Sequence, residues 1–221
     1  MNFFDINNIA FNALGYDMSW LEFVSTIAGL LAVWLNAREK IINWPIGLIN
    51  IVGAFVLFYE SQLYADMFLQ IYFFVTGIYG WWLWSKRNKQ TQENEVVISF
   101  LTSRKRLFWC FSILSATLFL TYVVIHLNFW MPQYFPKPAA FPVADTLIWT
   151  MSMAGNFLLT EKKVEAWILW VVVDLFAPIL YFQKNLKFVS LEYMIFLGIA
   201  IYALLQWWSV ATAEKNIKLS A

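Results

Sequence analysis

Charge is scarce in this chain. Only 13% of its 221 residues are Asp, Glu, Lys or Arg, where a soluble domain carries about 25%. Cysteine is nearly absent: Cys110 alone, inside an apolar run, excludes a disulfide framework and a thiolate metal cluster. The single histidine, His126, cannot supply paired haem ligands, and no H-E-x-x-H element occurs. No metal or cofactor is therefore expected. No lysine lies within an apolar run, which excludes a retinal-type photoreceptor. A nucleophile–base pair and a carboxylate dyad are also missing, so the chain reads as something other than an enzyme. The first eighteen residues hold no Lys or Arg but contain Asp5 and Asp17, unlike the positive start of a cleaved signal peptide. With a net charge of +1 and basic residues in short clusters between apolar runs, no face is offered to nucleic acid.

Apolar residues are abundant instead, at 61% of the chain with 20% aromatic. A span needs about 20 residues to cross a bilayer. Seven runs are candidates, some of them short of that length, near Trp20–Leu35, Ile41–Tyr59, Ala65–Trp84, Leu107–Leu127, Phe141–Leu159, Val164–Phe182 and Leu191–Val210. Backbone groups in lipid must be satisfied within the segment, and no barrel-like alternation is present, so the spans are helices. The expected fold is an all-α polytopic membrane protein in the lipid bilayer. Lys and Arg orient it. Arg38, Lys40, Lys86, Arg87, Lys89, Arg104, Lys105, Arg106, Lys162, Lys163, Lys215 and Lys218 collect on one side, twelve against Lys137, Lys184 and Lys187 on the other. The twelve mark the cytoplasmic side, which puts the N-terminus outside and the C-terminus inside. Trp81, Trp82, Trp84, Trp207 and Trp208 are expected at the inner interface.

The chain matches itself weakly at an offset of 123: Lys40-Ile41 falls on Lys163-Val164, Trp44 on Trp167, Leu63 on Leu186, Phe73 on Phe196, Tyr79 on Tyr202 and Trp84 on Trp207. Each copy holds three spans, and the fourth span is unmatched. One span between triplets makes the repeats parallel, related by an axis along the membrane normal, with the substrate path between them. The expected divisions are an extracellular segment 1–19, a first three-helix repeat 20–84, a cytoplasmic loop 85–106, a linker helix and outer loop 107–140, a second repeat 141–210 and a cytoplasmic tail 211–221.

Specific motifs carry a family resemblance. Arg38–Trp84 contains N-W-P-I-G, L-Y-A-D-M-x-L-Q and Y-G-W-W-x-W, and Lys162–Leu186 contains K-K-x-E-x-W-x-x-W-x-x-V-D. These segments resemble the PnuC-type vitamin transporters, and the likeness covers about Trp20–Trp208. It implies a 3+1+3 arrangement of seven helices, as in SWEET sugar transporters, in a bacterial inner membrane. It also implies facilitated uptake without ion coupling, with a cytoplasmic vitamin kinase trapping the substrate by phosphorylation. Nicotinamide riboside is the best-known family substrate; others are thiamin, riboflavin and deoxynucleosides. Two places depart from the family pattern: Asn156 and Phe157 stand where many relatives have Gln and Trp, and Asp174 stands where riboside carriers often have Asn.

Asp174 is the leading site residue. It lies ten residues into the sixth run, where a carboxylate costs roughly 2.5–3.5 kcal/mol on insertion scales. It shares one helical face with Trp167, Trp170, Pro178 and Tyr181. Aromatic walls with one carboxylate suit a flat cationic ring, such as nicotinamide riboside or thiamin; the alternative is a structural Asp bonded to a neighbouring helix. Trp44 joins the set as the repeat counterpart of Trp167. Asn50 shares a face with Asn43, Gly47 and Ala54, and either contacts ligand or bonds a neighbouring helix. Gln70, one turn beyond Asp66, can read an amide edge. Asn156 shares a face with Asp145, Trp149 and Ser152, either as ligand contact or as packing glue. Ser25, Gly29 and Ala32 read as close helix packing, and His126 as an interface residue. Asp66, Asp145 and Glu192 are expected at the outer mouth. A small-molecule transporter is the resulting expectation, compatible with a homo-oligomer. A seven-helix receptor is the alternative of another class; an ion channel would favour polar rings over aromatics.

Overall fold

The computed structural model describes the chain except residues 1–4, 6–7, 14–15, 61–63, 87–95, 134–137, 140, 184–186 and 221. Arg87, Lys89, Lys137 and Lys184 of the orientation argument lie outside the described residues. Among those described, seven helices form: α1 (Trp20–Ala37), α2 (Asn43–Glu60), α3 (Tyr64–Ser85), α4 (Ser103–Trp130), α5 (Pro142–Thr160), α6 (Glu165–Gln183) and α7 (Lys187–Ser220). Five of them, α1, α2, α4, α6 and α7, are long and apolar enough to cross a membrane by composition alone. The other two, α3 and α5, bury polar side chains in the interior: Gln70 and Thr76 on α3, and Thr146, Thr150 and Ser152 on α5.

The all-α expectation needs one amendment. Strands β1 (Ile9–Ala13) and β2 (Tyr16–Ser19) pair antiparallel before α1. Asn12 Nδ2 donates to Asp17 Oδ1 across the pair at 2.6 Å. Ser19, at the end of β2, caps α1 by accepting from the Glu22 N–H at 3.1 Å, which satisfies one orphan donor of the first turn. Helix α4 begins at Ser103 and so takes up Arg104–Arg106 from the expected loop, with Thr102 in extended conformation at its N-cap. Helix α7 continues through the expected tail to Ser220.

Six helices close a ring. Contacts run α1–α2, α2–α3, α3–α5, α5–α6, α6–α7 and back from α7 to α1, while α4 lies outside against α5. Two hydroxyl pairs join α4 to α5, Thr117–Thr150 at 2.7 Å and Thr121–Thr146 at 2.6 Å. The outer face of α4 is apolar and exposed, with Phe111, Leu118 and Phe129 each more than 60% accessible, as a lipid-facing surface would be. The described part of the 85–106 stretch buttresses the α5–α6 turn. Ser99 N donates to Lys162 O and Val164 N to Ser99 O, Leu101 N donates to the Glu165 carboxylate, and Arg106 pairs with Glu165 at 2.8 Å.

The interfacial tryptophans divide. Trp81, Trp82 and Trp208 are exposed, as expected, but Trp84 and Trp207 are buried. The reason is chemical: the last carbonyls of a helix have no partner within it, and these two indoles supply one each. Trp207 Nε1 donates to Ala37 O at the end of α1, and Trp84 Nε1 to Thr160 O at the end of α5, both at 2.9 Å.

Candidate functional site

The ring encloses a cavity of about 550 Å³. Its lining begins at the exposed Tyr16 and Asp17 of the hairpin and ends on Asn36, Asn43, Trp44, Leu159 and Trp167, all buried. It is thus a pocket open toward the hairpin end and closed at the other.

All eight candidate residues face this one cavity: Trp44 and Asn50 from α2, Gln70 from α3, Asn156 from α5, and Trp167, Trp170, Asp174 and Tyr181 from α6. Their individual bonds differ. Asn50 Nδ2 donates to Ser25 O of α1 at 2.9 Å, so the interhelical bond exists while the side chain still lines the cavity. Gln70 Nε2 makes only a long 3.5 Å contact to Asp66 O in its own helix. Asn156 Nδ2 donates to Thr76 Oγ1 of α3 at 2.6 Å, tying α5 to α3. Trp170 lies 6.4 Å from Phe73, centroid to centroid, and Tyr181 stacks on Tyr193 at 5.2 Å. Asp174 is 2% exposed, and its Oδ1 has no hydrogen-bond partner among the described residues. Pro178, four residues on, lacks the N–H that the Asp174 carbonyl would otherwise accept. Asp145, Trp149 and Ser152, on the same α5 face as Asn156, do not reach the cavity; nor does Asp66.

The charge of the lining is one-sided. Asp17, Glu22, Asp174 and Glu192 contribute carboxyl groups, and no Lys, Arg or His is present among the described lining residues. Of the acids expected at the outer mouth, Glu192 lines the cavity, while Asp66 and Asp145 are not among its lining residues. Tyr16 donates its hydroxyl to Glu22 Oε1 at 2.7 Å; burial, then that bond and charge, push the Tyr16 hydroxyl above its usual range.

Sequence reasoning missed Glu22 and Asn36. Their signal was available: Glu22, Ser25, Gly29, Ala32 and Asn36 follow the i, i+3, i+7, i+10, i+14 spacing of one helical face, and every one of them lines the cavity. Ser25, Gly29 and Ala32 also pack closely as expected, for Ala32 lies 3.6 Å from where a Gly47 Cβ would sit.

The closed end is built from matching parts. Trp44 meets Trp84 edge-on at 5.3 Å, and Trp167 meets Trp207 edge-on at 5.7 Å. Gly80 lets the Trp44 ring lie against its backbone, where any Cβ would collide with the indole. Glu39 and Lys162 both have positive φ, at 56° and 51°, and Lys162 Nζ donates to Glu39 Oε2 at 2.8 Å. The Lys162 side chain is 4% exposed and also lies over the Trp84 ring at 4.7 Å. Next to it, burial lowers the affinity of Lys163 for its proton, and its Nζ donates to Ser99 Oγ at 2.8 Å.

Comparison with known proteins matches residues 19–209 to the family described as nicotinamide mononucleotide transporter. The nicotinamide riboside transporter PnuC of Escherichia coli (strain K12) is 34% identical, with all of both chains covered. The riboflavin/roseoflavin transporter RibM of Streptomyces davaonensis is 23% identical over 92% of this chain and 91% of its own. A crystal structure of the vitamin B3 transporter PnuC shares the fold, with a TM-score of 0.66 and 23% identity over 88% of this chain and 83% of that one.

Proposed function

Since the chain belongs to the nicotinamide mononucleotide transporter family, we propose that it carries nicotinamide riboside across a bacterial inner membrane by facilitated diffusion. The observation that carries this reading is the cavity: aromatic walls and four carboxyl groups, with no cationic side chain among its described lining. Stacking surface and negative charge favour a flat pyridinium ring. A phosphate monoester would meet repulsion there and find no basic partner, so the riboside is favoured over its mononucleotide. Thiamin, also a cation, is the second reading supported by the same charge. Riboflavin, carried by the RibM relative, is neutral and has no need of the acids.

The seven helices are read as two parallel triplets, α1–α3 and α5–α7, with α4 as the linker. The 123-residue offset supports this. It carries Trp20–Ala37 onto 143–160, Asn43–Glu60 onto 166–183 and the start of α3 onto the start of α7. It also relates Glu39 to Lys162, Ala37 to Thr160 and Trp84 to Trp207, so the bonds at the closed end are reciprocal between the halves. Transport then requires the two halves to separate at that end and close at the hairpin end.

The orientation reading places the hairpin outside, so the pocket faces out and its closed end faces the cytoplasm. A protease added to intact cells is expected to cut near the N-terminus or in the 132–142 loop and to leave 85–106 uncut. Cleavage within 85–106 would reverse the orientation.

Proteoliposomes test the function directly. Nicotinamide riboside is expected to equilibrate at the same final level whatever proton or sodium gradient is imposed, with thiamin, riboflavin and thymidine as comparisons. Accumulation driven by a gradient would overturn facilitated diffusion, and uptake of riboflavin without the riboside would overturn the substrate. Net import in the cell then depends on a cytoplasmic kinase that phosphorylates the arriving substrate.

A further inference from the structure

The ring meets itself along two joints between the proposed triplets, α3 against α5 and α7 against α1. The 123-residue offset carries one joint onto the other, so they can be compared position by position. Near the closed end they agree. Trp84 and Trp207 each bond a carbonyl across their joint. A stacked ring pair accompanies each bond: Tyr79 with Phe157 at 6.4 Å, and Tyr202 with Trp34 at 5.2 Å.

Farther from that end the joints differ. At α3–α5, Tyr72 donates its hydroxyl to Met153 O at 2.8 Å. Asn156 Nδ2 donates to Thr76 Oγ1 at 2.6 Å, and that hydroxyl donates in turn to Tyr72 O at 2.8 Å. The offset sets Ile195 in the place of Tyr72, Leu30 of Met153, Ile199 of Thr76 and Val33 of Asn156. None of these four side chains has a polar atom, so the bonds have no counterpart at α1–α7. The wall there is also thinner. Leu191 and Ile195 both line the cavity, yet they are 52% and 46% exposed. Tyr72 and Met153, by contrast, lie behind the cavity lining.

Parting a joint within a bilayer hands its surfaces to acyl chains. These replace apolar contacts at little cost but offer nothing to a hydrogen-bonding group. Opening α3–α5 would strand the Tyr72 hydroxyl and the Asn156 amide along with the Trp84 indole. Among the described side chains, opening α1–α7 would strand only the Trp207 indole. We propose that the α3–α5 joint is the pivot of the transport cycle and the α1–α7 joint the side that parts, with Tyr72 as the positioning residue that holds the pivot. The inference rests on the reading of the helices as two triplets, and makes their separation one-sided.

Paired cysteines test it in a Cys110→Ala background, which removes the one native thiol. Tyr79→Cys with Phe157→Cys spans the pivot; Trp34→Cys with Tyr202→Cys spans the equivalent positions of the other joint. Neither pair lines the cavity. A short bis-methanethiosulfonate bridge across 79 and 157 is expected to leave riboside exchange in proteoliposomes within about 2-fold. The same bridge across 34 and 202 should stop exchange, and a reductant should restore it. Block by both bridges, or by neither, would overturn the pivot. Nitroxides at the same pairs give a readout that needs no substrate: one separation at 79 and 157, two at 34 and 202. A single separation at both pairs would overturn the assignment whichever vitamin is carried. Loss of riboside exchange in the unbridged protein would overturn the substrate reading alone and leave the pivot to the nitroxides. Tyr72→Phe should slow exchange roughly 2–10-fold with riboside affinity unchanged, and should bring a second separation to 79 and 157. An equal loss in affinity, or an unaltered 79–157 separation, would overturn the role of Tyr72.

Discussion

Asp174→Asn is expected to weaken binding of a pyridinium vitamin by roughly 5–150-fold while a neutral ring of the same shape binds as before. The two side chains have nearly the same volume, and an Asn oxygen can still occupy the place of Oδ1, so shape and hydrogen bonding are conserved. What disappears is a charge in a site drier than bulk water. Asp174 is 2% exposed and its Oδ1 lacks a protein partner, so an ionised carboxyl there is costly until a cation comes to lie beside it. The interaction is therefore realised in the bound state, worth about 1–3 kcal/mol after desolvation is offset. Trp170, Phe73 and Tyr181 supply stacking surface, which discriminates poorly between charged and neutral rings; the carboxylate does the discriminating. Calorimetry with one cationic and one neutral ligand on both proteins decides the matter. Equal losses for the two ligands would make Asp174 a structural residue.

A second large effect is expected at the closed end. Glu39→Gln leaves the Lys162 ammonium buried without its counter-charge, which costs about 3–5 kcal/mol in the state with that end shut. The balance between states should shift roughly 100-fold or more, and exchange across proteoliposomes should slow, because each cycle has to revisit the closed state. Lys162→Glu should do as much, by setting two carboxylates together. The double change Glu39→Lys with Lys162→Glu exchanges two residues that both sit at a positive-φ position just after a helix, α1 and α5. It should restore most of the exchange rate. Full recovery is not expected, since the ammonium would leave the Trp84 ring, now 4.7 Å away, a contact worth about 0.5–2 kcal/mol. A double variant as slow as either single change would show that the ion pair does not hold this end shut.

Much of this was readable from residue order, and the exceptions have physical causes. Apolar runs located all seven helices because lipid and packing impose one composition on long segments. The face 167, 170, 174, 181 could be read from α6 because its polar and aromatic residues interrupt a Val-rich run. Asn36 escaped because it sits in the last turn of α1, where a polar residue resembles a helix end, although it lines the cavity and donates to Asn43 Oδ1 at 3.2 Å. Trp84 and Trp207 resembled interfacial anchors because indoles near span ends usually are. Their burial follows from two helix C-termini lying beside them on the neighbouring helices of the ring, contacts separated by 76 and 170 residues that local pattern does not encode. The hairpin was missed because its strands are five and four residues long, too short for alternation to register.

The ring has an implication for how the chain is made. Helices α1, α2 and α3 contact one another in sequence order, as do α5, α6 and α7, so α1–α3 can pack as soon as they have entered the bilayer. The remaining joints, α3 against α5 and α7 against α1, wait for later helices, and the last of these joins the final span to the first. Until synthesis reaches α7, the side of the cavity that Glu192 and Tyr193 complete stays open to lipid, with Asp174 already in place on α6. The side of the cavity facing α7 is thus sealed last, and a ribosome that stalls before residue 187 leaves the Asp174 carboxyl group without that wall.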